Sequence, residues 1–464
     1  MKFIGRHEEL ARLRRKLSSD RSESILVYGR RRVGKSELIR EAIRGEDCLA
    51  VQYVCRKASY EENFSGLARA AAEALGEPFL SFRDLASLLE FLYRRARTQR
   101  IVLFIDEYPF LRDGNESVDS EFQIAIDRWQ HESRLKVILC GSYMDTMQKI
   151  IEGNAPLFGR FSEILKLAPF DYYDAGQFFP NRTNEEKFFL YSVLGGIPFY
   201  LLQVRENLTP EENLEELLIP EGSLLENEIR LQLALELSKE ENANYVLEKI
   251  AAGIGKYSDI AENFPGKSSN AVGHTLEKLL GMDLIEKDSP INAPANKRLQ
   301  RYVISDALLD LYYSYLFRES TARSVLPARE FYRLKLKERI ETEYLPRRFE
   351  VAAREFLVRR NREGKMEPPF FRVGRFVWND RKRHLNGEFD CVTEDEKGLI
   401  SYECKYRKKP LDMAVVREEE EQARKLGLGF RRFGFFSRSG FFGVDPSIYP
   451  SFTLDDMYRA EDEP

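Results

Sequence analysis

The chain has 464 residues, of which 43% are hydrophobic and 32% are charged, and its formal net charge is −4. This length exceeds what one hydrophobic core organises, so we expect roughly two to four domains. The nearly balanced charge excludes a global cationic field that would gather nucleic acid. Five scattered cysteines without a C-x-x-C pair argue against a disulfide framework or a structural zinc site.

The beginning of the chain and its hydropathy carry no targeting signal. The first nine residues lack the apolar core of a signal peptide. No apolar run approaches the length of a membrane-spanning helix. We therefore expect a cytoplasmic protein with no membrane partner.

A glycine-rich loop follows the first predicted strand. The strand is expected at 25–28 and a helix at 37–43, and the sequence between them fits G-x-x-x-x-G-K-[ST]. Strand, glycine loop and helix are the context that a phosphate-binding loop requires. Backbone N–H groups and Lys35 would hold the phosphates of ATP, and the Ser36 hydroxyl would ligate Mg²⁺. The expected nucleotide-binding residues of the loop are Gly29, Arg30, Arg31, Arg32, Val33, Gly34, Lys35 and Ser36.

Two later apolar strands end in polar residues that suit ATP hydrolysis. Residues 101–105 are followed by Asp106 and Glu107. In a P-loop fold, Asp106 would hold the Mg²⁺ shell and Glu107 would orient and polarise the attacking water. The strand at 135–141 is followed by Ser142, which would contact the γ-phosphate or the water, or else act as a helix N-cap. Alternating strands and helices predict a parallel sheet with its site at the strand C-termini.

Arg160 is the last candidate catalytic residue of this part of the chain. One interpretation is that it reaches a γ-phosphate, either in its own chain or from a neighbouring subunit. The second arrangement would need a homo-oligomer. The alternative interpretation is a solvated surface arginine.

These motifs together resemble the archaeal-type ATPases, a family of the STAND class of signalling ATPases that is related to AAA+ proteins. The resemblance covers roughly residues 1–315 and rests on Phe3–Arg6 with Glu8–Leu10, Tyr28–Lys35, Ile105–Pro109, Cys140–Ser142 and Pro156–Arg160. Residues 195–201 also resemble the Gly-Gly-x-Pro motif of the family, which lies in a helical lid. The resemblance implies that Gly5 and Arg6 lie near the adenine.

The middle of the chain is predicted to be helical. We expect a helical lid at 171–240 and a winged helix at 241–318. Helices are expected at 245–251, from residue 258, and at 268–280 with a cap at Ser268 or Ser269, and wing strands at 284–287 and 301–304. Residues 320–327 are predicted to be a linker.

The winged helix has two possible uses. Its third helix offers Asn270, His274 and Lys278 for DNA contact, but Glu277 lies among them. That surface is poor in cations for a protein that binds a phosphate backbone. In the STAND class, such a module usually packs against the nucleotide domain as a structural or switch element.

The C-terminal domain, expected at 330–464, contains a predicted β-hairpin. Residues 387–394 and 399–406 alternate with period two on either side of a turn sequence. If Glu394 faces Leu399 across a four-residue loop, this register (the parity of the hairpin) determines which side chains share each face of the two strands.

In this register four charged side chains share one face. Asp390 lies opposite Glu403, and Glu388 lies opposite Lys405. Adjacent carboxylates raise each other's pKa unless something compensates, and Mg²⁺ or Mn²⁺ would do so. Lys405 would orient a water or stabilise the charge of a phosphorane-like species. The alternative is ordinary solvated charge on a surface hairpin.

The pattern Asp-x₁₂-Glu-x-Lys also resembles the PD-(D/E)XK nuclease superfamily, with Phe389 at the position of the Pro in the motif name. That resemblance implies an acidic residue on a preceding helix, for which Glu350 is the first choice and Glu355 the alternative. The domain also resembles the uncharacterised, nuclease-like domain that commonly follows archaeal-type ATPase modules. Residues 341–440 contain 23 Lys and Arg against 18 Asp and Glu, which is compatible with a nucleic-acid partner.

The sequence therefore predicts a multidomain α/β protein. A P-loop parallel sheet at 1–170 precedes the lid, the winged helix and an α/β domain like that of restriction endonucleases. The predicted function is a STAND-type switch that binds and hydrolyses ATP and controls this effector domain, a metal-dependent DNA nuclease if it is active. One alternative is a DNA-binding regulator that uses its winged helix and has an inactive C-terminal domain. Another is a non-catalytic oligomeric scaffold that holds ATP.

Overall fold

The computed structural model describes residues 3–237, 240–262, 264, 269–380 and 385–459. The chain divides into two compact units. The first unit comprises Met1–Pro169 and Ile197–Phe199, and the second comprises Phe170–Gly196 and Tyr200–Pro464. The lid, the winged helix and the C-terminal domain predicted from the sequence thus share the second unit, apart from the three residues at 197–199.

The first unit is built around a five-stranded sheet with the order β2-β3-β4-β1-β5. Its strands are β1 Glu23–Gly29, β2 Leu49–Val54, β3 Ile101–Asp106, β4 Lys136–Gly141 and β5 Glu163–Leu167. Every neighbouring pair is parallel. β1, β3 and β4 are buried along their whole length, as their continuous apolar sequences predict for a sheet covered on both faces.

Helices connect the strands of this sheet. They are His7–Leu17, Lys35–Ile43, Tyr60–Ala74, Leu85–Arg95, Pro109–Arg112, Val118–Trp129 and Met144–Lys149. Because β4 lies between β3 and β1, the carboxyl ends of these three strands meet at one edge. That edge is where parallel sheets of this kind bind ligands. The predicted parallel α/β fold is confirmed.

The second unit is largely helical before residue 363. Its helices are Tyr172–Gly176, Asn184–Leu194, Pro210–Leu217, Leu224–Glu236, Glu240–Ala251, Tyr257–Glu262, Ser269–Gly281, Ala307–Tyr315, Ser320–Val325, Ala328–Phe331, Lys337–Arg339, Leu345–Arg362, Met413–Lys425 and Leu454–Tyr458. Two π-helical segments lie at Tyr332–Leu336 and Ile340–Tyr344. A short helix, Pro198–Leu201, begins at the proline of the Gly-Gly-x-Pro motif, and its first two residues belong to the first unit.

The strands of the second unit form a hairpin, a larger sheet and a small two-stranded pair. They are β6 Ile285–Asp288, β7 Arg301–Ile304, β8 Phe370–Asp380, β9 Leu385–Asp395, β10 Gly398–Lys405, β11 Leu411–Asp412, β12 Phe430–Ser437, β13 Phe441–Phe442 and β14 Ser451–Thr453. β6 and β7 are the predicted wing hairpin. The larger sheet has the order β14-β12-β10-β9-β8, so the C-terminal domain is a mixed sheet with helices.

The segment predicted to be a linker is a helix, Ser320–Val325. Its Arg323 donates hydrogen bonds to both carboxylate oxygens of Glu226, at 3.1 and 3.0 Å. Glu226 also accepts from the Tyr312 hydroxyl at 2.9 Å and from the Gly222 N–H at 2.7 Å. The linker prediction was wrong because the partner that buries Arg323 is distant in sequence.

None of the described helices combines the length and apolar composition that a membrane span requires.

Candidate functional site

The phosphate loop begins at the carboxyl end of β1 and leads into the helix Lys35–Ile43. Gly34 has a φ of 94° and Arg32 a φ of 66°, so the loop passes twice through the left-handed region, which glycine adopts without strain. A Cβ atom on Gly29 would lie 2.4 Å from the carbonyl oxygen of Leu167. Both glycines of the motif are therefore required by the backbone itself.

Lys35 is 5% exposed and lies at the centre of a hydrogen-bonded chain. Its Nζ donates to the carbonyls of Gly29 and Arg30, at 2.9 Å each. It also donates to Ser142 Oγ at 2.9 Å, which in turn donates to Glu107 Oε1 at 2.8 Å. Burial lowers the pKa of Lys35, and the carboxylate of Glu107 partly opposes that shift. The structure thus brings together three predicted catalytic residues.

Ser36 and Asp106 meet at the start of the loop helix and the end of β3. Ser36 Oγ donates to Asp106 Oδ2 at 2.5 Å. The other carboxylate oxygen of Asp106 accepts the backbone N–H of Glu107 at 3.0 Å. Hydroxyl and carboxylate oxygens are the hard ligands that Mg²⁺ prefers. The residues present therefore fit the predicted Mg²⁺ shell.

Arg6 connects the N-terminal segment to the phosphate loop. Gly5 and Arg6 have φ values of 60° and 58°. The buried Arg6 guanidinium donates to the carbonyl of Val33 at 3.3 Å and to that of Ala168 at 2.6 Å. Arg6 is therefore placed against the loop, and its adenine contact stays a prediction.

Residues 197–199 supply a contact that sequence reasoning missed. The Phe199 ring centroid lies 3.6 Å from the Arg32 guanidinium carbon, a cation–π contact. Pro198 Cγ would lie 3.7 Å from a Cβ atom on Gly34. The Gly-Gly-x-Pro motif was the available signal, but its spacing does not say that it folds back onto the loop.

Arg160 has partners outside the loop. Its Nε and Nη2 donate to the Asp127 carboxylate at 2.9 to 3.2 Å, and its Nη1 donates to the Phe158 carbonyl at 3.0 Å. Among the described residues, none of its hydrogen bonds reaches the phosphate loop. Arg31, within the loop, is exposed. A γ-phosphate contact by Arg160 stays a prediction, and the contact with Asp127 would have to break first.

In the second unit, β9 and β10 form the predicted hairpin. Glu394 pairs with Leu399, as predicted, but Asp395 also pairs with Gly398. The turn therefore has two residues, and the four-residue loop was wrong. Because both ends of the loop shorten by one residue, the register and the parity of the strands are unchanged.

Four carboxyl groups from β9, β10 and two helices lie close enough to shift one another's pKa. Burial, followed by Glu388 and Glu403, raises the pKa of Asp390 to about 6. Burial and the Asp390 carboxylate raise the pKa of Glu350 to about 8. Burial and Glu403 raise the pKa of Glu419 to about 7. We call Glu350, Asp390, Glu403 and Glu419 the acidic cluster; the sequence did not single out Glu419, which stands in a run of four glutamates.

Lys405 pairs with a member of the acidic cluster, whereas Arg301 and Arg375 pair with the neighbouring Glu388. Lys405 forms a short ion pair with Glu403. Burial lowers the pKa of Lys405, but the adjacent Glu403 carboxylate outweighs this and the pKa is raised. Glu388, by contrast, accepts hydrogen bonds from Arg301 at 3.0 Å and Arg375 at 3.3 Å. Glu388 is thus paired with two arginines, although its carboxylate still contributes to the raised pKa of Asp390.

Carboxylate oxygens suit a hard divalent ion, so the donor chemistry of the acidic cluster fits Mg²⁺ or Mn²⁺. In the part of the chain that the structure describes, no three His, Cys, Asp or Glu side chains stand in a metal-holding arrangement. Metal ligation by Glu350, Asp390 and Glu403 stays a prediction.

Glu355, the alternative to Glu350, serves a different contact. It accepts hydrogen bonds from the Tyr191 hydroxyl at 2.7 Å and from the Tyr172 backbone N–H at 3.1 Å. Burial and the carboxylate of Asp171 raise its pKa to about 7. The structure therefore favours Glu350 as the helix residue of the acidic cluster.

Glu355→Gln is expected to remove a pH-dependent destabilisation. The folded pKa of about 7 exceeds the ordinary 4.5, so the folded state binds more protons between these values. Stability should therefore fall as pH rises through that window. Glutamine keeps the acceptor for Tyr191 and does not ionise, so we expect a gain of about 1–3 kcal/mol at pH 8 and little change at pH 4. Chemical denaturation at both pH values checks this, and an equal change at both would contradict it.

The winged helix has its predicted order of helices and wing strands. On its third helix, His274 and Glu277 are exposed and Lys278 is half-buried. Ser268 and the side chain of Asn270 lie outside the described residues.

The wing loop packs against the C-terminal sheet. Ile291 joins the core cluster that contains Phe376 and Phe389. Asn292 Nδ2 donates to the Val377 carbonyl at 2.8 Å, and the Val377 N–H donates back to Asn292 Oδ1 at 3.2 Å. The start of the wing loop is thus anchored to the C-terminal sheet, which favours the structural or switch use of the module, whereas Lys297 and Arg298 further along the loop are exposed.

A parallel sheet with a phosphate loop after β1 and two carboxylates at the end of β3 defines the class of P-loop ATPases. Residues 3–204 match the family of ATPase domains found predominantly in Archaea. Residues 312–424 match a second family, described as archaeal and bacterial proteins of unknown function. Residues 3–204 are thus an ATPase domain of the archaeal family, residues 312–424 are a domain of the second family, and the chain is an ATPase that binds nucleotide.

One reported archaeal relative spans most of the chain, and another matches a short part of it. An uncharacterized protein of Methanocaldococcus jannaschii is 27% identical over 412 residues, which cover 87% of this chain and 88% of the relative. An uncharacterized ATP-binding protein of the same organism is 38% identical over 53 residues, 11% of this chain and 90% of the relative. A Walker-type ATPase of Pyrococcus abyssi has a TM-score of 0.51 at 20% identity, covering 67% of this chain and 96% of its own, which shows a shared fold.

Proposed function

We propose that the chain is a STAND-type switch in which Mg·ATP bound at Gly29–Ser36 controls a nuclease-like domain at 330–464. The hydrogen-bonded chain from Lys35 through Ser142 to Glu107 is the observation that carries the hydrolytic half. It joins the cation that would bind the γ-phosphate to the carboxylate that would polarise the water.

The hydrolytic step follows from the roles of these side chains. Lys35 binds the β- and γ-phosphate oxygens, and Ser36 with Asp106 would hold Mg²⁺, which supplies charge neutralisation. Glu107 accepts a proton from the attacking water. Ser142 contacts both Lys35 and Glu107, so its hydrogen bonds would change when a γ-phosphate arrives.

The acidic cluster carries the effector half of the proposal. Burial and mutual repulsion destabilise its negative charge, and a divalent cation would relieve both. With Mg²⁺ or Mn²⁺ held by Glu350, Asp390 and Glu403, Lys405 would be placed to stabilise the charge that develops on a phosphodiester. The proposed partner is therefore nucleic acid, and a homo-oligomer would supply Arg160 in trans.

The winged helix is proposed to belong to the switch. Its wing packs on β8, and Arg301 in β7 holds Glu388, two residues before Asp390 in β9. A displacement of the winged helix would therefore be transmitted to β9, the strand that carries Asp390 of the acidic cluster. The competing function, a DNA-binding regulator, would have to use the exposed part of the wing loop at 294–298.

Lys405→Ala is expected to lower Mn²⁺-dependent cleavage by at least about 100-fold, because it removes the cation beside the reacting phosphate. The assay uses single- and double-stranded DNA and RNA, each with and without ATP. Lys408→Ala, an exposed cation three residues further along, is the matched control and should cleave like the unmodified chain.

Lys35→Ala in the same assay separates the two halves of the proposal. It should lose any effect of ATP and keep the basal cleavage. Equal cleavage by the Lys405→Ala and unmodified chains would rule out the acidic cluster as a catalytic site. Salt-dependent duplex binding without cleavage would favour the DNA-binding regulator instead.

A further inference from the structure

A cavity of about 360 Å³ lies in the second unit, beside the C-terminal end of the helix Leu345–Arg362. Tyr173, Phe356 and Phe452 supply aromatic surface to its walls. Its volume falls within the range of about 300–1,000 Å³ that is usual for small-molecule sites. None of its lining residues belongs to the phosphate loop or to the acidic cluster.

Charge in this cavity is predominantly positive. Four cations line it, Arg359, Arg360, Lys365 and Arg459, against two carboxylates, Glu363 and Asp456. Glu363 pairs with both Arg359 at 2.9 Å and Lys365 at 3.0 Å, and Asp456 pairs with Arg459 at 3.1 Å. Asp171 and Asp174 lie 3.9 and 4.0 Å from Arg359 and do not line the cavity.

Arg360 differs from the other three cations. Within the described residues it makes no ion pair, and its buried Nε has no hydrogen-bond partner. Its guanidinium carbon lies 5.6 Å from the Phe356 ring centroid and 5.5 Å from that of Phe452, so two rings hold it in place. A positioned guanidinium that has no counter-charge among the described residues is suited to bind an anion.

We propose that this cavity binds a small phosphorylated molecule of about mononucleotide size. The planar fork of a guanidinium matches two phosphate oxygens, and Arg360 is the anchor for them. The aromatic walls suit the planar ring that such a molecule carries. Arg360 lies ten residues from Glu350 on one helix, a separation of about 15 Å along its axis. An occupant would thus contact the helix that carries part of the acidic cluster.

Isothermal titration calorimetry tests the proposal on the full-length chain. The chain carries Lys35→Ala, so that the phosphate loop does not contribute to binding. The probes are inorganic phosphate and the four common nucleoside 5′-monophosphates. We expect saturable binding of at least one nucleotide, and weaker binding of phosphate alone because it lacks the ring.

Variants on opposite walls of the cavity locate the binding. Arg360→Gln and Arg459→Gln should each weaken binding by about tenfold or more. Arg362→Gln, an exposed arginine on the same helix outside the cavity, is the matched control and should bind normally. Circular dichroism confirms folding of each variant.

Two results would overturn the assignment. One is the absence of saturable binding of every probe; the other is unchanged affinity in both the Arg360→Gln and Arg459→Gln chains. Residues 460–464 carry three carboxylates in sequence and lie outside the described residues. A chain that ends at Arg459 should therefore bind at least as tightly as the full chain, and a loss of binding in it would also contradict the proposal.

Discussion

Lys35→Ala is expected to abolish ATP binding, whereas Glu107→Gln is expected to keep binding and to lose turnover by about 100-fold or more. The two effects differ because the side chains have different tasks. Lys35 supplies the charge that binds the phosphates. Glu107 supplies the base, which matters only once water attacks. Glutamine keeps the acceptor oxygen for the Ser142 hydroxyl at the site, so the loop geometry should survive.

Calorimetry with ATP and Mg²⁺ measures the binding, and phosphate release measures the turnover. Glu61→Gln, an exposed carboxylate on the helix Tyr60–Ala74, is the matched control and should behave like the unmodified chain. Normal phosphate release by the Glu107→Gln protein would remove Glu107 from its assigned role. Retained ATP affinity in Lys35→Ala would show that the loop backbone alone binds the phosphates.

Arg323→Ala is expected to destabilise the second unit by about 2–3 kcal/mol. Arg323 and Glu226 are 2% and 1% exposed, and their contact is bidentate. Removing the arginine leaves the buried carboxylate with Arg230 as its remaining cation, at 3.0 Å, and because Arg230 is 61% exposed it replaces only part of the lost pairing. The hydrogen bonds that Glu226 accepts from Tyr312 and Gly222 satisfy the oxygens but do not neutralise the charge.

Denaturant unfolding measures this effect, with Arg205→Ala as the control. Arg205 pairs with Glu216 at 2.9 Å, but both side chains are largely exposed, and such pairs contribute about 0–1 kcal/mol. The double variant Arg323→Met with Glu226→Gln should recover part of the loss, because no uncompensated charge remains. A loss in Arg323→Ala no larger than in Arg205→Ala would show that the buried pair is not needed.

The C-terminal hairpin shows what a local sequence pattern can predict, namely which side chains share a face of two paired strands. Alternation along residues 387–406 predicted two paired strands, and the register assumed for them, with Glu394 facing Leu399, is confirmed although the turn is shorter than expected. Shortening a loop by one residue at each end preserves which side chains share a face. No comparable local pattern distinguishes Glu350 from Glu355. Both lie on one helix, and only packing decides which faces β9 and β10 and which meets Tyr191.

Local sequence was sufficient to predict the class of the first unit and the strand-end positions of its predicted catalytic residues. Those features depend on local spacing: a glycine loop between a strand and a helix, and carboxylates directly after an apolar strand. Three features became visible only in the folded chain: Arg323 is buried in an ion pair, the wing packs on β8, and Glu419 joins the acidic cluster. Each of these depends on burial by a partner distant along the chain. Burial determines the pKa of a charged group and the strength of its ion pairs, and the spacing of residues within one segment does not show which charges are buried.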